Sequence, residues 1–258
     1  MSYQGVMAHL ISHYPDAEAF WEVASGIVDG GAAAVELQFP FSDPTADGPA
    51  IQNASSVALK AGFTLAAGFD FLRRLRSMTD RPIFLMTYAN VPMVRGVDRF
   101  VGEAAEAGAR GLIVPDLPPG DDEGLYAAGA TSGVAVVPVV VPSLSDARRR
   151  LIEEVKPEYL YVALRRGTTG RETEIGPDQI EFLDWAREKA GKLMGGFGIR
   201  RREQIDVLKT HLDLAVVGSA IVNVIDGTRE GIRERVTTFV RGLTEEPHST
   251  DTLPRRSG

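Results

Sequence analysis

Residues 82–114, PIFLMTYANVPMVRGVDRFVGEAAEAGARGLIV, contain the pattern that decides the fold. Residues 82–86 form a short apolar run that predicts a buried strand, and residues 98–107 predict a helix that ends at Gly108. A second apolar run at residues 111–114 predicts the next strand. A strand, a helix and a strand in this order join parallel neighbours in one sheet, so the stretch is typical of an α/β protein.

The same unit repeats along the whole chain. Further strands are predicted at residues 6–11, 33–37, 135–140, 159–163, 192–195 and 214–217. Further helices are predicted at residues 16–29, 64–78, 121–131, 145–155, 178–190, 200–210 and 222–243, the last with a break near Gly227. Eight such units in 258 residues favour a single (β/α)8 TIM barrel over an open doubly wound sheet. We expect the barrel to cover residues 1–244 and the polar residues 245–258 to form a flexible tail.

Composition excludes several classes of protein. The formal net charge of −7 argues against a nucleic-acid binder, which needs a basic surface. The chain has no cysteine, which excludes disulfides and thiolate metal sites. No apolar run reaches the roughly 18 residues of a membrane-spanning helix, and the first residues, MSYQG, do not resemble a signal peptide. We therefore expect a cytoplasmic enzyme that binds neither nucleic acid nor membranes.

Glu36 is the most informative single residue. In a TIM barrel the active site lies at the carboxyl ends of the strands, and Glu36 stands near the end of the apolar strand 33–37. Burial raises the pKa of a carboxyl group towards the range that suits general acid–base catalysis. The alternatives are a surface glutamate at a strand end and a glutamate paired with an arginine.

The loop that follows, FPFSDPTADGP at residues 39–49, is too rich in proline, glycine and aspartate to continue a helix or strand. Long loops in compact barrels are usually functional or disordered, and the prolines stiffen this one. Asp43 and Asp47 either form Asx-turns within the loop, or one of them faces Glu36 across a pocket. The second arrangement would supply the two carboxylates that acid–base chemistry uses.

Glycine-rich turns indicate a phosphate site. The run GGFG, residues 195–198, follows one predicted strand, and Gly218-Ser219 follows the last strand and opens a helix. Backbone N–H groups at such turns bind anions, and TIM barrels often place a phosphate there. The alternative is that the glycines only permit tight turns. The run RRGTTG, residues 165–170, either adds donors or forms a mobile lid.

His9 and His13 share one face if the first strand continues through them, which raises the question of a metal site. The run His13-Tyr14-Pro15 is expected to have left the strand. We therefore expect no metal, and we interpret His9 as a polar group that lines the pocket.

The run VELQFPFSDPTADGPAIQ, residues 35–52, closely resembles the signature of the tryptophan synthase alpha subunit family. Further matches occur in the family's order at MTYAN (86–90), VPDLP (114–118), GTTG (167–170), GFGI (196–199) and GSAIV (218–222). The resemblance implies a lyase that cleaves indole-3-glycerol phosphate to indole and glyceraldehyde 3-phosphate, without cofactor or metal. It also implies a place in tryptophan biosynthesis.

The resemblance also assigns roles to individual residues. Glu36 and Asp47 match the family's catalytic pair. The substrate phosphate is expected on backbone N–H groups of Gly170, Phe197, Gly198, Gly218 and Ser219. The pocket and its supporting shell are expected to contain His9, Ile51, Tyr88, Asp116, Tyr161 and Thr169.

The expected partner is a tryptophan synthase beta subunit, in a complex of two alpha and two beta subunits, with Asp43-Pro44 in the coupling loop. Departures from the family are His9 for an apolar or aromatic pocket residue, Gln38 for a glycine, the run SHYP at residues 12–15, and the basic pair Arg165-Arg166. They keep two alternatives open, a stand-alone lyase or aldolase on a related phosphorylated substrate and a non-catalytic phosphate-binding barrel. Retention of both Glu36 and Asp47 argues against the latter.

Overall fold

The computed structural model describes residues 3–164, 176–196, 198–226 and 229–245. The strands in these ranges are β1 (Gly5–Ile11), β2 (Ala34–Gln38), β3 (Ile83–Met86), β4 (Gly111–Ile113), β5 (Ala135–Val137), β6 (Val139–Val140), β7 (Tyr159–Ala163), β8 (Lys192–Gly196) and β9 (Leu214–Val217). The helices are α1 (Ala19–Asp29), α2 (Pro49–Lys60), α3 (Leu65–Met78), α4 (Asn90–Arg95), α5 (Val97–Glu106), α6 (Leu125–Ser132), α7 (Asp146–Val155), α8 (Pro177–Lys189), α9 (Arg202–Leu208), α10 (Ser219–Ile225) and α11 (Ile232–Thr244). None of these helices is long and apolar enough to cross a membrane.

The strands form one parallel sheet that closes on itself. Its order is β5-β4-β3-β2-β1-β9-β8-β7-β6. β5 and β6 are the two halves of the predicted strand 135–140, divided by Pro138, which has no N–H to donate. β5 pairs with β4 and β6 pairs with β7, so the two edges of the sheet meet at this proline. The (β/α)8 barrel predicted from the sequence is confirmed.

Side chains alternate between the two faces of each strand, and so form two apolar layers, one outside and one inside the barrel. On β1, Val6, Ala8 and Leu10 belong to the layer between the sheet and the helices. Met7, on the other face, packs in the barrel interior with Ala34 of β2, among others. Because side chains two residues apart share a face of a strand, His9 and Glu36 follow Met7 and Ala34 into the interior.

Side-chain oxygens cap the beginnings of some of the helices. Thr64 Oγ1 accepts the N–H of Ala67 at 3.2 Å before α3. Asp16 Oδ1 accepts the N–H of Ala19 at 2.7 Å, but α1 itself begins only at Ala19, three residues later than predicted. Side-chain oxygens therefore satisfy N–H groups that have no partner inside the helix.

Two helices, α2 and α4, were not predicted. α2 buries mostly small side chains, Ala54, Ser55 and Ala58 beside Ile51, so its apolar stripe is weak. α4 has six residues and contains Pro92. The predicted helix break near Gly227 and the tail residues 246–258 lie outside the described residues.

Candidate active site

A cavity of about 550 Å³ opens at the carboxyl ends of the strands, where the sequence places the active site. Eight of the predicted site residues line it: His9, Glu36, Asp47, Ile51, Tyr161, Gly198, Gly218 and Ser219. The remaining lining is mostly apolar and was not predicted: Ala46, Met86, Ile113, Pro115, Val139, Ile199 and Val216.

Glu36 is buried and paired with a histidine. Glu36 on β2 and His9 on β1 are neighbours in the strand register, and each exposes 4% of its surface. Nδ1 of His9 lies 2.8 Å from Oε2 of Glu36, so an Nδ1–H donates to the carboxylate. Burial lowers the pKa of His9, but the charge of Glu36, this hydrogen bond and the charge of Asp47 outweigh it, and the net pKa is raised.

Asp47 is the second buried carboxylate of the cavity. Its Oδ2 accepts hydrogen bonds from Gln38 Nε2 and from the Tyr88 hydroxyl, both at 2.9 Å. Burial raises the pKa of Asp47 against the opposing effects of His9 and of these two donors. Of the two sequence alternatives for this loop, Asp47 therefore takes the position in the pocket beside Glu36. Neither donor contacts Oδ1, which leaves that oxygen for a further donor.

Gln38 is a site residue that the sequence analysis noted only as a departure. It is fully buried on β2, two residues beyond Glu36, and so shares the inward face of that strand. A carboxylate only accepts hydrogen bonds, so the amide nitrogen of Gln38 faces Asp47. The period of two along the strand could have placed Gln38 on the same face as Glu36 from the sequence alone.

Tyr88 and Asp116 support the loops around the cavity. The Tyr88 hydroxyl accepts the N–H of Ala46 at 3.2 Å while it donates to Asp47, so one hydroxyl holds two consecutive residues of the loop. Asp116 is exposed and does not line the cavity. Its Oδ1 accepts the N–H of Ala89 at 2.8 Å, which holds the turn after β3 next to Tyr88.

Tyr161 occupies the barrel interior opposite a glycine. It is buried on β7 and lines the cavity, and burial raises its pKa well above the ordinary value, so the phenol stays neutral. Gly196 at the end of β8 faces it, and a Cβ at position 196 would overlap the Tyr161 hydroxyl. The glycine therefore provides the space that the tyrosine ring fills.

The two glycine turns meet at the cavity. Gly198 has a φ of +92°, a left-handed conformation that favours glycine. Gly218 precedes α10, and Ser219 is the first residue of that helix. Gly198, Gly218 and Ser219 all line the cavity, whereas Phe197, Thr169 and Gly170 lie outside the described residues.

His13 lies apart from His9. β1 ends at Ile11, as predicted, and His13 stacks on Phe71 with ring centroids 4.0 Å apart. Burial lowers the pKa of His13. Its position among aromatic rings, away from the cavity lining, explains why it does not join His9 in the site.

The predicted coupling loop is partly exposed. Asp43 is exposed and accepts a hydrogen bond from Ser42 Oγ at 2.7 Å. Pro44 is buried, and its carbonyl accepts the N–H of Asp47 at 3.0 Å. The outer end of the loop is thus linked by one backbone hydrogen bond to the residue that lines the cavity.

Comparison with known proteins agrees with this geometry. The family model for the tryptophan synthase alpha chain matches residues 3–247. The tryptophan synthase alpha chain of Syntrophotalea carbinolica is 36% identical over 239 residues, a match that covers 92% of this chain and 93% of that protein. The alpha chain of Methanosarcina acetivorans is also 36% identical and covers 92% of this chain and 86% of that protein.

Solved structures give the same result. A chain in a structure of the tryptophan synthase complex from Pyrococcus furiosus superposes with a TM-score of 0.84 at 30% identity, covering 94% of this chain and 98% of that one. A structure of Mycobacterium tuberculosis tryptophan synthase gives a TM-score of 0.83 at 27% identity, with coverage of 95% and 94%. The chain therefore belongs to the tryptophan synthase alpha chain family.

Proposed function

We propose that this cavity cleaves indole-3-glycerol phosphate to indole and glyceraldehyde 3-phosphate, the lyase reaction of the family, with Glu36 and Asp47 as the catalytic residues. The observation that carries the proposal is the pair of buried carboxylates on one cavity, each held differently. Glu36 meets a histidine, whereas Asp47 meets two neutral donors. Two titratable groups in different environments are suited to different roles in one reaction.

Glu36 has the role of proton carrier. Cleavage of the bond between indole C3 and the glycerol side chain requires a proton at C3 and the removal of a proton from the adjacent hydroxyl. The electron pair of the broken bond returns to the indole ring, and the hydroxyl carbon becomes the aldehyde. A carboxyl group within reach of both atoms can deliver the first proton and accept the second.

Asp47 stabilises charge. Protonation at C3 makes the ring positive, and that charge extends to the ring nitrogen. Oδ1 of Asp47, which neither Gln38 nor Tyr88 contacts, can accept the indole N–H. A preorganised carboxylate at that position stabilises the intermediate without the reorganisation that water would need.

The other residues of the cavity fall into two groups, those that would hold the indole ring and those that would bind the phosphate. Ile51 and Tyr161 belong to the lining that would hold the indole ring. The N–H groups of Gly198, Gly218 and Ser219 would bind the phosphate, together with Gly170 and Phe197 as the sequence predicts. Thr169 completes the predicted shell around these groups, and Asp116 supports the turn after β3 from outside the cavity.

The proposal includes a partner and a location. The Pyrococcus furiosus relative was solved in a complex of two alpha and two beta subunits that activate each other. We propose that this chain likewise binds a beta subunit through the loop that contains Asp43 and Pro44. As an enzyme of amino-acid biosynthesis, it is expected to act in the cytoplasm.

Indole release from indole-3-glycerol phosphate tests the proposal. Glu36→Gln keeps the size and hydrogen bonding of the side chain but removes proton transfer, so the rate should fall about 10²–10⁴-fold. Glu181→Gln makes the same chemical change at an exposed position on α8 and serves as the control. Near wild-type turnover in the Glu36 variant would refute the mechanism.

A further inference from the structure

The backbone fixes His9 beside Glu36. The two residues are direct neighbours in the parallel register of β1 and β2, and both follow interior residues of their strands. The distance of 2.8 Å between Nδ1 and Oε2 is therefore set by two central strands of the barrel, not by a loop. A pair on rigid elements keeps its geometry through a reaction cycle.

His9 has one polar partner among the described residues. Its Nε2 is buried and contacts no donor or acceptor in the described ranges, while its Nδ1 contacts Glu36. An unmatched polar atom in the interior opposes folding, so an apolar side chain would fill this place at lower cost. A proton on the imidazole can pass within the described part of the protein only to Glu36.

The surroundings of His9 favour a positive charge. The titratable groups that face it are Glu36 from β2, Asp47 from the loop after β2 and Tyr161 from β7. No lysine or arginine is among the described residues that line the cavity. The positive imidazole ring therefore meets two carboxylates and no like charge in this part of the site.

We propose that His9 and Glu36 act as one proton-holding pair in the lyase reaction, with His9 as the positioning residue that stores the proton for Glu36. The proposal rests on the function proposed above. The pair gives one proton to indole C3 through Glu36 as the C–C bond breaks. It recovers one from the substrate hydroxyl as the aldehyde forms, so its proton count is unchanged after each turnover.

Variants at His9 test the pair through the dependence of kcat on pH. A glutamic acid ordinarily releases its proton at lower pH than an imidazolium does. Without His9, the falling limb of kcat at high pH should therefore move towards acid by at least about one pH unit, a tenfold loss of rate along that limb. We expect this shift in both His9→Phe and His9→Gln, with KM nearly unchanged.

His9→Gln separates storage from positioning. Its amide can still donate to Glu36 but cannot hold the proton. A wild-type pH profile in His9→Gln would refute the proposal, and so would an unshifted profile in His9→Phe. His211→Gln is the control. It breaks an exposed histidine–carboxylate pair outside the cavity lining, in which Nδ1 of His211 lies 3.1 Å from Oδ1 of Asp184.

A second measurement does not depend on activity. NMR titration of the four histidines identifies His9 as the signal missing from His9→Gln. In Glu36→Gln, the proton affinity of His9 should fall at least about tenfold, because the nearest negative charge is gone. An unchanged titration would refute the pair. A wild-type protein that releases no indole would instead refute the proposed function, and the titration would still decide whether the pair exists.

Discussion

Gly196→Ala tests the packing that places Tyr161 in the site. A methyl group at this position would overlap the Tyr161 hydroxyl, lie 2.9 Å from Cζ of the same ring and 3.1 Å from Cβ of Val216. Both neighbours belong to the barrel interior, so neither moves without disturbing other strands. Overpacking of this kind costs about 1–3 kcal/mol.

For a domain of this size, that cost corresponds to a fall in Tm of about 2–12 °C. Thermal and denaturant unfolding measure the fall, and indole release should drop as well, because the displaced Tyr161 ring lines the cavity. Gly102→Ala is the matched control. Gly102 lies within α5, and a methyl group added there meets no neighbouring atom within 4 Å. Because alanine loses less conformational freedom than glycine in a helix, this change should raise stability by about 0.5–1 kcal/mol.

The double variant Gly196→Ala/Tyr161→Phe makes the test specific. Removal of the hydroxyl relieves the most severe overlap and leaves the approach to Cζ at 2.9 Å, so part of the lost stability should return. The two changes should therefore be non-additive by at least about 0.5 kcal/mol. Additive effects, or a Gly196→Ala protein as stable as wild type, would refute the packing argument.

Four further predictions concern the polar groups of the site and its loop. Asp47→Asn should lower indole release about 10²–10³-fold yet stabilise the fold at neutral pH. Burial raises the pKa of Asp47, so the wild-type protein loses stability as pH rises through that pKa. Denaturant unfolding at several pH values should therefore show that the Asn variant is more stable than wild type at neutral pH and that this difference disappears in acid. Tyr88→Phe removes one of the two donors to Asp47 and should lower kcat about tenfold with little change in KM, as steady-state kinetics would show. Ser219→Asp should weaken phosphate-containing ligands far more than free indole in calorimetry, since a second anion at the start of α10 repels the first; equal weakening would contradict a phosphate site there. A beta subunit should raise lyase activity several-fold in a titration, and Asp43→Ala should remove most of that gain but little of the basal rate, whereas a flat titration would contradict coupling.

Much of the fold was predictable because its pattern is local. The strand at residues 159–163 was predicted with the bounds of β7, because an apolar run of 5 residues between polar segments is too short for a buried helix. The division of residues 135–140 at Pro138 depends on which neighbour each half pairs with, and that is a tertiary property. α2 was missed because its buried face consists mostly of alanine and serine, which give almost no apolar period.

The site was predictable in its chemistry more than in its contacts. Glu36 stands out because a carboxylate is costly within an apolar strand, whereas the choice of Asp47 over Asp43 came from the family resemblance. The tyrosine donor to Asp47 is harder to find, because Tyr88 follows a different strand, β3, and lies 41 residues away in sequence. The pairing of His9 with Glu36 required the register of β1 against β2, which no local pattern encodes.

The break at Pro138 and the seam between β1 and β9 divide the residues of the proposed site between two half-barrels. One half, β1 to β5, provides Glu36, Asp47 and the groups that contact them; the other half, β6 to β9, leads into the turns at Gly198 and Ser219. A substrate held at both places bridges the halves at the open end of the barrel. A ligand bound at both places should therefore oppose separation of the two halves and raise the stability of the barrel as its concentration rises.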